Sequence, residues 1–160
     1  HRKVFVSSAA YNGNLQGLAG ADARCQALAT SAGFPGTFRA WLSDSSTGPA
    51  DRFDTSFTGV YELVDGTLVA HGWADLTDGT LQHAIDVTEG NGVVDATAWT
   101  NTSTSGTPLG GVHCSDWSSS SSMVQGLYGF TASTDSQWTD GMNPVLCSAG
   151  NKIYCFEDPA

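Results

Sequence analysis

The sequence predicts an α+β protein with a mainly antiparallel sheet, one principal helix near the N-terminus and long loops. Only one segment has helical spacing, while several short runs rich in β-branched and aromatic residues have strand character. Of the 160 residues, 40 % are hydrophobic and only 14 % are charged, and Gly, Ser, Thr, Asp and Asn fill the intervening stretches. This composition is typical of a loop-rich domain with its own core. We expect residues 1–160 to form one domain.

The principal helix is predicted over Ala21–Ala32, followed by the helix-ending residues Gly33 and Pro35. Asp22 is expected in its first turn, where the helix dipole favours a carboxylate. Four residues recur at i, i+3, i+4 and i+7 and are expected to share one buried face: Cys25, Leu28, Ala29 and Ala32. Cys25 is therefore expected to point inward.

The clearest strand signal is a hairpin, in which Asp65-Gly66 joins the β-prone runs Val60–Val64 and Thr67–Ala70. Pro49 is expected to open a single helical turn at Ala50–Phe53, and Trp73–Asp95 is expected to be irregular. Further short strands are expected at Lys3–Ser7, Thr37–Leu42, Ala98–Thr100, Val112–Cys114, Leu127–Thr131, Val145–Cys147 and Lys152–Glu157.

The charge balance of the chain restricts the classes of molecule that it can bind. Six Lys and Arg stand against sixteen Asp and Glu, a formal net charge of −10. A field of this sign repels nucleic acid, heparin-like polymers and anionic membranes. No stretch approaches the ~20 apolar residues of a membrane span. We expect no nucleic acid, no heparin and no membrane insertion, and we expect the chain to be the C-terminal part of a longer secreted or cell-surface protein.

The protein is expected not to bind heparin or duplex DNA at physiological salt, because it lacks any cluster of basic residues. Heparin chromatography checks this directly. Retention above about 0.15 M salt, the physiological ionic strength, would contradict this interpretation of the surface charge.

Four cysteines are present: Cys25, Cys114, Cys147 and Cys155. Their even number, wide spacing and lack of a Cys-x-x-Cys pair favour disulfides over zinc binding or thiol redox chemistry. Spacing alone leaves all three pairings open, and four buried free thiols remain the alternative.

Several segments in order resemble endostatin, the C-terminal domain of certain basement-membrane collagens. The most specific are Gly20–Cys25 and Gly36–Ser43, which resemble its opening. The looser matches to endostatin are Trp73–Leu76, Ala98–Thr100, Cys114–Trp117, Cys147 and Ile153–Cys155. In composition the chain also resembles bacterial surface domains, since it is rich in Gly, Ser and Thr and poor in Lys.

The resemblance implies the C-type-lectin-like fold, to which endostatin belongs, with Cys25 paired to Cys155 and Cys114 paired to Cys147. Two properties of endostatin do not transfer. This chain lacks its arginine-rich heparin surface, and only His1 remains of its N-terminal zinc-binding histidines. We expect no cofactor.

The resemblance places a ligand face in the loops between Cys114 and Cys147. Trp117 and Trp138 are the candidate rings for stacking on a sugar, and the alternative is that both pack in the core. Calcium remains an option through the acidic loops, with Asp135 and Asp140 as candidates, although it needs six to eight oxygens. The candidate ligand-binding residues are Trp117, Trp138, Asp116, Asp140 and Asn143.

No catalytic residues are expected. His113, Ser115 and Asp116 superficially suggest a hydrolytic triad, but neighbouring residues of a strand point to opposite faces. His71, His83 and His113 lack zinc-ligand spacing.

Three functions follow from the resemblance. The leading one is a recognition or adhesion domain for a glycan or a surface protein. The second is a structural tip that trimerises or caps a fibre, which would make the protein a homotrimer. The third is an enzyme, since a distant branch of the fold performs cysteine-dependent oxidation, and the predicted disulfides disfavour it.

Overall fold

The computed structural model describes residues 1–159, which form a mixed α+β fold with two β-sheets. The right-handed helices in this part of the chain are α1 (Gly17–Ser31), α2 (Pro49–Arg52) and α3 (Gly72–Leu76), and Ser136–Trp138 forms a 3₁₀ turn. The strands are β1 (Arg2–Val6), β2 (Phe38–Ala40), β3 (Val60–Leu63), β4 (Leu68–His71), β5 (Thr97–Trp99), β6 (Gln125–Phe130), β7 (Pro144–Leu146) and β8 (Tyr154–Glu157).

The larger sheet has the strand order β2-β8-β1-β3-β4, and the smaller has the order β5-β6-β7. Every pairing is antiparallel except that of β1 with β3. The hairpin predicted at Asp65-Gly66 is confirmed as β3–β4, and Leu63 N–H donates to Thr67 O at 2.9 Å across its turn.

The centre of the larger sheet, around β1 and β8, is buried on both faces. Val4 and Val6 of β1 belong to one apolar cluster, and Phe5 between them belongs to another. Alternate residues of a strand point to opposite faces, so this run of apolar residues fills both clusters. Helix α1 covers the Phe5 face with its buried residues Ala21, Cys25 and Ala29.

Two disulfides fasten this arrangement, and both pairings implied by the resemblance are present. Cys25–Cys155 joins α1 to β8 with a Cα–Cα distance of 5.4 Å, and Cys114–Cys147 joins the loops at 5.7 Å. Gly126 packs so closely that a Cβ atom there would lie 2.6 Å from Cys114 Sγ. Two disulfides suggest an oxidising, extracellular environment.

Helix α1 begins at Gly17, four residues before the predicted start, so the expectation that Asp22 lies in its first turn is wrong. Its carboxylate instead accepts the Ala40 N–H at 2.9 Å and pairs with Arg52 Nη1 at 2.7 Å. Asp22 thus ties α1 to β2 and α2, a tertiary role that helical spacing does not reveal.

Of the strand predicted at Val112–Cys114, only an antiparallel bridge from His113 to Gly126 is present, and Cys114 lies in a helical turn. The irregular structure predicted at Trp73 is wrong, because this residue lies in α3. Cys114–Trp117 forms one turn of left-handed helix, with φ between 53° and 61° at all four residues. Trp117 N–H donates to His113 O at 2.8 Å, and Ser118 N–H donates to Cys114 O at 3.0 Å. A left-handed conformation costs about 1–2 kcal/mol per non-glycine residue, so tertiary contacts must hold this turn.

Candidate functional site

Trp117 and Trp138 lie inside the protein, with exposed fractions of 0 % and 1 %. The Trp117 ring packs against Trp99 at 5.5 Å between centroids, and the Trp138 ring packs against Trp41 at 4.9 Å. A buried ring cannot stack on a sugar. The expectation that these two residues present ligand-binding rings is therefore wrong, because both side chains pack in the apolar clusters beneath the loops.

Trp41, which packs on Trp138, anchors the loops through a buried hydroxyl group. Trp41 Nε1–H donates to Thr139 Oγ1 at 2.7 Å, and Thr139 Oγ1 donates to Thr102 O at 2.8 Å. Thr100 Oγ1 donates to Thr139 O at 2.5 Å. Thr100, Thr102 and Thr139 are fully buried, so these bonds lie in a low-dielectric environment where breaking them is expensive.

Ser43 continues this network toward the left-handed turn. Its hydroxyl lies 2.7 Å from Thr102 Oγ1, and its carbonyl oxygen accepts Trp117 Nε1–H at 2.8 Å and Asn101 Nδ2 at 3.1 Å. Four polar segments thereby meet above one buried network. We call them the loop platform: residues 43–47, 101–109, 113–118 and 139–143.

The left-handed turn presents Asp116 at the surface of the platform. Asp116 Oδ1 accepts the Ser45 N–H at 2.8 Å, and this hydrogen bond holds the pKa of the Asp116 carboxyl below its ordinary value. The carboxylate is therefore ionised throughout the physiological range. Its side chain remains 53 % exposed, so it can still meet a ligand.

The other acidic candidates also lie on turns. Asp140 is half-buried and accepts the Met142 N–H at 3.1 Å, whereas Asn143 is exposed on the same segment. Asp135 is exposed away from these loops and caps the 3₁₀ turn by accepting the Gln137 N–H at 2.9 Å. Hydrogen bonds from Ser133 and Gln137 lower the pKa of Asp135. Within residues 1–159, no three His, Cys, Asp or Glu side chains converge at metal-binding spacing.

The geometry around His113 differs from that of a hydrolytic triad. His113 Nδ1 accepts the backbone N–H of Asp116 at 2.8 Å, so this nitrogen is the unprotonated one and is already engaged. Ser115 is exposed on the left-handed turn. Both disulfides are formed, and residues 1–159 contain no free cysteine.

Sequence reasoning missed the buried polar residues on which the platform rests, namely Ser43, Thr100, Asn101, Thr102 and Thr139. The only signal was their position directly after tryptophan-containing segments. Asn101 begins an Asn-Thr-Ser glycosylation pattern, but it is fully buried with its amide donating to Ser43 O. The folded chain therefore does not offer this amide to a modifying enzyme.

The surface formed by residues 1–159 has no concave pocket of ligand size. No helix in this part of the chain is long and apolar enough to cross a bilayer. The fold and the platform together define a disulfide-bonded α+β protein with a mainly polar, loop-built surface. No known protein-family model matches the sequence, and no curated protein matches it.

Proposed function

We propose that this protein is an extracellular recognition domain that binds a partner on another surface through the loop platform. The observation that carries the proposal is the buried hydrogen-bond network joining Ser43, Thr102 and Thr139 beneath the platform. Loops held rigid by a scaffold are the usual location of binding residues, and pre-organisation reduces the entropy lost on binding.

The proposal includes the C-type-lectin-like fold. Its support is the pair of disulfides that the resemblance implied, one joining α1 to β8 and the other fastening the loop region. The structural-tip alternative and the enzyme alternative find no comparable support in the platform.

The chemistry of the platform favours a protein ligand over a sugar. Its exposed polar groups are hydroxyls, a carboxylate and an amide, including those of Ser45, Ser115, Asp116 and Asn143. Met142, which is 71 % exposed, adds one apolar side chain. With Trp117 buried, this set lacks an aromatic ring for stacking on a sugar. Exposed acceptors on a chain of net charge −10 suit a partner surface that carries N–H donors and positive charge.

Asp116→Ala and Asn143→Ala are each expected to weaken ligand binding by about 1–3 kcal/mol, the range for losing one interface contact or hydrogen bond. The measurement starts from arrays of extracellular proteins and of glycans, the latter with and without calcium. The affinities of the variants for each hit are then determined.

Asp78→Ala is the matched control, because Asp78 is exposed and lies outside the platform. It makes the same charge change and should leave affinity unchanged. Asp116→Asn removes the negative charge but keeps an oxygen that can accept the Ser45 N–H. It therefore separates the effect of losing the charge from the effect of disturbing the left-handed turn. If Asp78→Ala weakens binding as much as Asp116→Ala does, general charge drives binding and the platform is not the site.

A further inference from the structure

Strands β6 and β7 carry no charged residue, although the segment that joins them contains Asp135 and Asp140. Residues 117–134 and 141–151, which contain both strands, include no Asp, Glu, Lys, Arg or His, although the whole chain carries a formal charge of −10. Charged residues are thus confined to the remainder of the protein. A second negatively charged surface therefore meets less repulsion at these two strands than at the acidic segments of the chain.

The hairpin formed by β6 and β7 exposes large apolar side chains. Met123, in the turn entering β6, is 89 % exposed, and Leu146 of β7 is 42 % exposed. Along β7 the pattern alternates, because Pro144 and Leu146 face solvent while Val145 is half-buried against the core. We call Met123, Pro144 and Leu146 the hairpin face.

Strand β7 is an edge of its sheet. Val145 is paired with Gly126, and Cys147 N–H donates to Val124 O at 2.8 Å, so the N–H and C=O groups of Pro144 and Leu146 point away from β6. Proline has no N–H, and Leu146 O accepts the Ala149 N–H at 2.9 Å. The outer edge therefore offers one donor, Leu146 N–H, and one acceptor, Pro144 O.

We propose that two copies of this chain associate through β7 about a two-fold axis at Val145, forming a continuous six-stranded antiparallel sheet. The axis places Leu146 N–H of each copy opposite Pro144 O of the other, so the contact contains two N–H···O hydrogen bonds and each of these groups gains one partner. Residues directly opposite each other in antiparallel strands lie on the same face. The axis therefore also packs Leu146 of one copy against Pro144 of the other.

The occupant is a second copy because this edge is complementary to itself. Pro144 has no N–H to donate, and the group opposite it, Leu146 O of the other copy, already accepts the N–H of its own Ala149. Antiparallel pairing therefore leaves no backbone N–H or C=O on the outer edge of β7 without a partner. Exposed edges are protected by charged side chains, by proline or by being short. Strand β7 is short and begins with Pro144, but it has no charged side chain that would repel a second copy. Isologous two-fold contacts are also the commonest form of self-association.

The test measures molar mass by light scattering on the whole chain, from about 1 µM to about 1 mM, a range that suits a small interface. The mass is expected to rise toward twice that of the chain. Added salt should strengthen the dimer, because it screens the repulsion between two copies of net charge −10. Leu146→Asp should abolish association by placing two carboxylates at the contact.

Val93→Asp is the matched control, because Val93 is 76 % exposed outside the hairpin and the substitution adds the same charge. It should dimerise like the parent chain. Hydrogen exchange of the parent chain gives a readout that needs no variant, since the Leu146 amide should be protected at high concentration and exchange freely at low concentration.

A chain that stays monomeric to ~1 mM, a trimer, or equal effects of the two substitutions would each overturn the proposal. So would concentration-independent exchange at Leu146. The proposal does not depend on the loop platform. Ligand binding by monomeric Leu146→Asp protein, with Asp116 and Asn143 intact, tests the platform separately.

Discussion

Replacing Cys25 and Cys155 together by Ala is expected to lower the free energy of unfolding by about 5 kcal/mol, commonly less in practice. The crosslink joins residues 130 apart, and closing a long loop removes much conformational freedom from the unfolded chain. Domains are stable by roughly 5–15 kcal/mol in total. The variant should therefore lose a large part of its stability.

The double variant Cys114→Ala and Cys147→Ala is the matched comparison, because its residues are equally buried but only 33 apart in sequence. Its expected loss is about 4 kcal/mol. Urea denaturation of the three proteins measures both values. A larger loss for the shorter loop would mean that contacts of the left-handed turn, and not loop closure, dominate.

Trp117→Ala is expected to lower the free energy of unfolding by about 3–5 kcal/mol, the range for truncating a buried aromatic residue. The change removes a ring packed on Trp99 and leaves a cavity beside Cys114. It also removes the Nε1–H bond to Ser43 O. The left-handed turn should lose its anchor, so Asp116 at the platform surface should become mobile as well.

Trp117→Phe keeps much of the ring but loses the Nε1–H donor. Ser43 O still accepts from Asn101 Nδ2, so the loss should be clearly smaller than for Ala. Met123→Ala, at a residue 89 % exposed, should change stability by no more than about 0.5 kcal/mol. Thermal and urea denaturation measure all three. A Trp117→Ala protein that melts within a few degrees of the parent would contradict the burial of this ring.

The elements that sequence predicted best depend on local signals. The β3–β4 hairpin follows from Asp65-Gly66, a pair typical of tight turns, and Gly66 supplies the positive φ of the turn, 91°. The core of α1 follows in part from helical spacing, because Cys25 and Ala29 are buried as predicted, whereas Leu28 is half-buried and Ala32, just past the helix, is exposed. In both cases, residues close together in the chain determine the structure.

The mistaken predictions concern residues that distant contacts control. Cys114 has the local appearance of a strand residue, yet its disulfide to Cys147 and the burial of Trp117 hold it in a left-handed turn. Asp22 suits the start of a helix, yet Arg52 and Ala40 determine its position. Propensity is a weak prior that tertiary contacts override.

The sequence by itself determined the net charge, the class of fold, the number of cysteines and the absence of charged residues from the segments that form β6 and β7. Only the tertiary structure decided which tryptophans are buried and which loops meet. Burial depends on contacts between segments far apart in the chain, such as the bond from Trp117 to Ser43 across 74 residues. The platform exists because such contacts close a hydrogen-bond network among hydroxyl groups that have no distinctive local pattern.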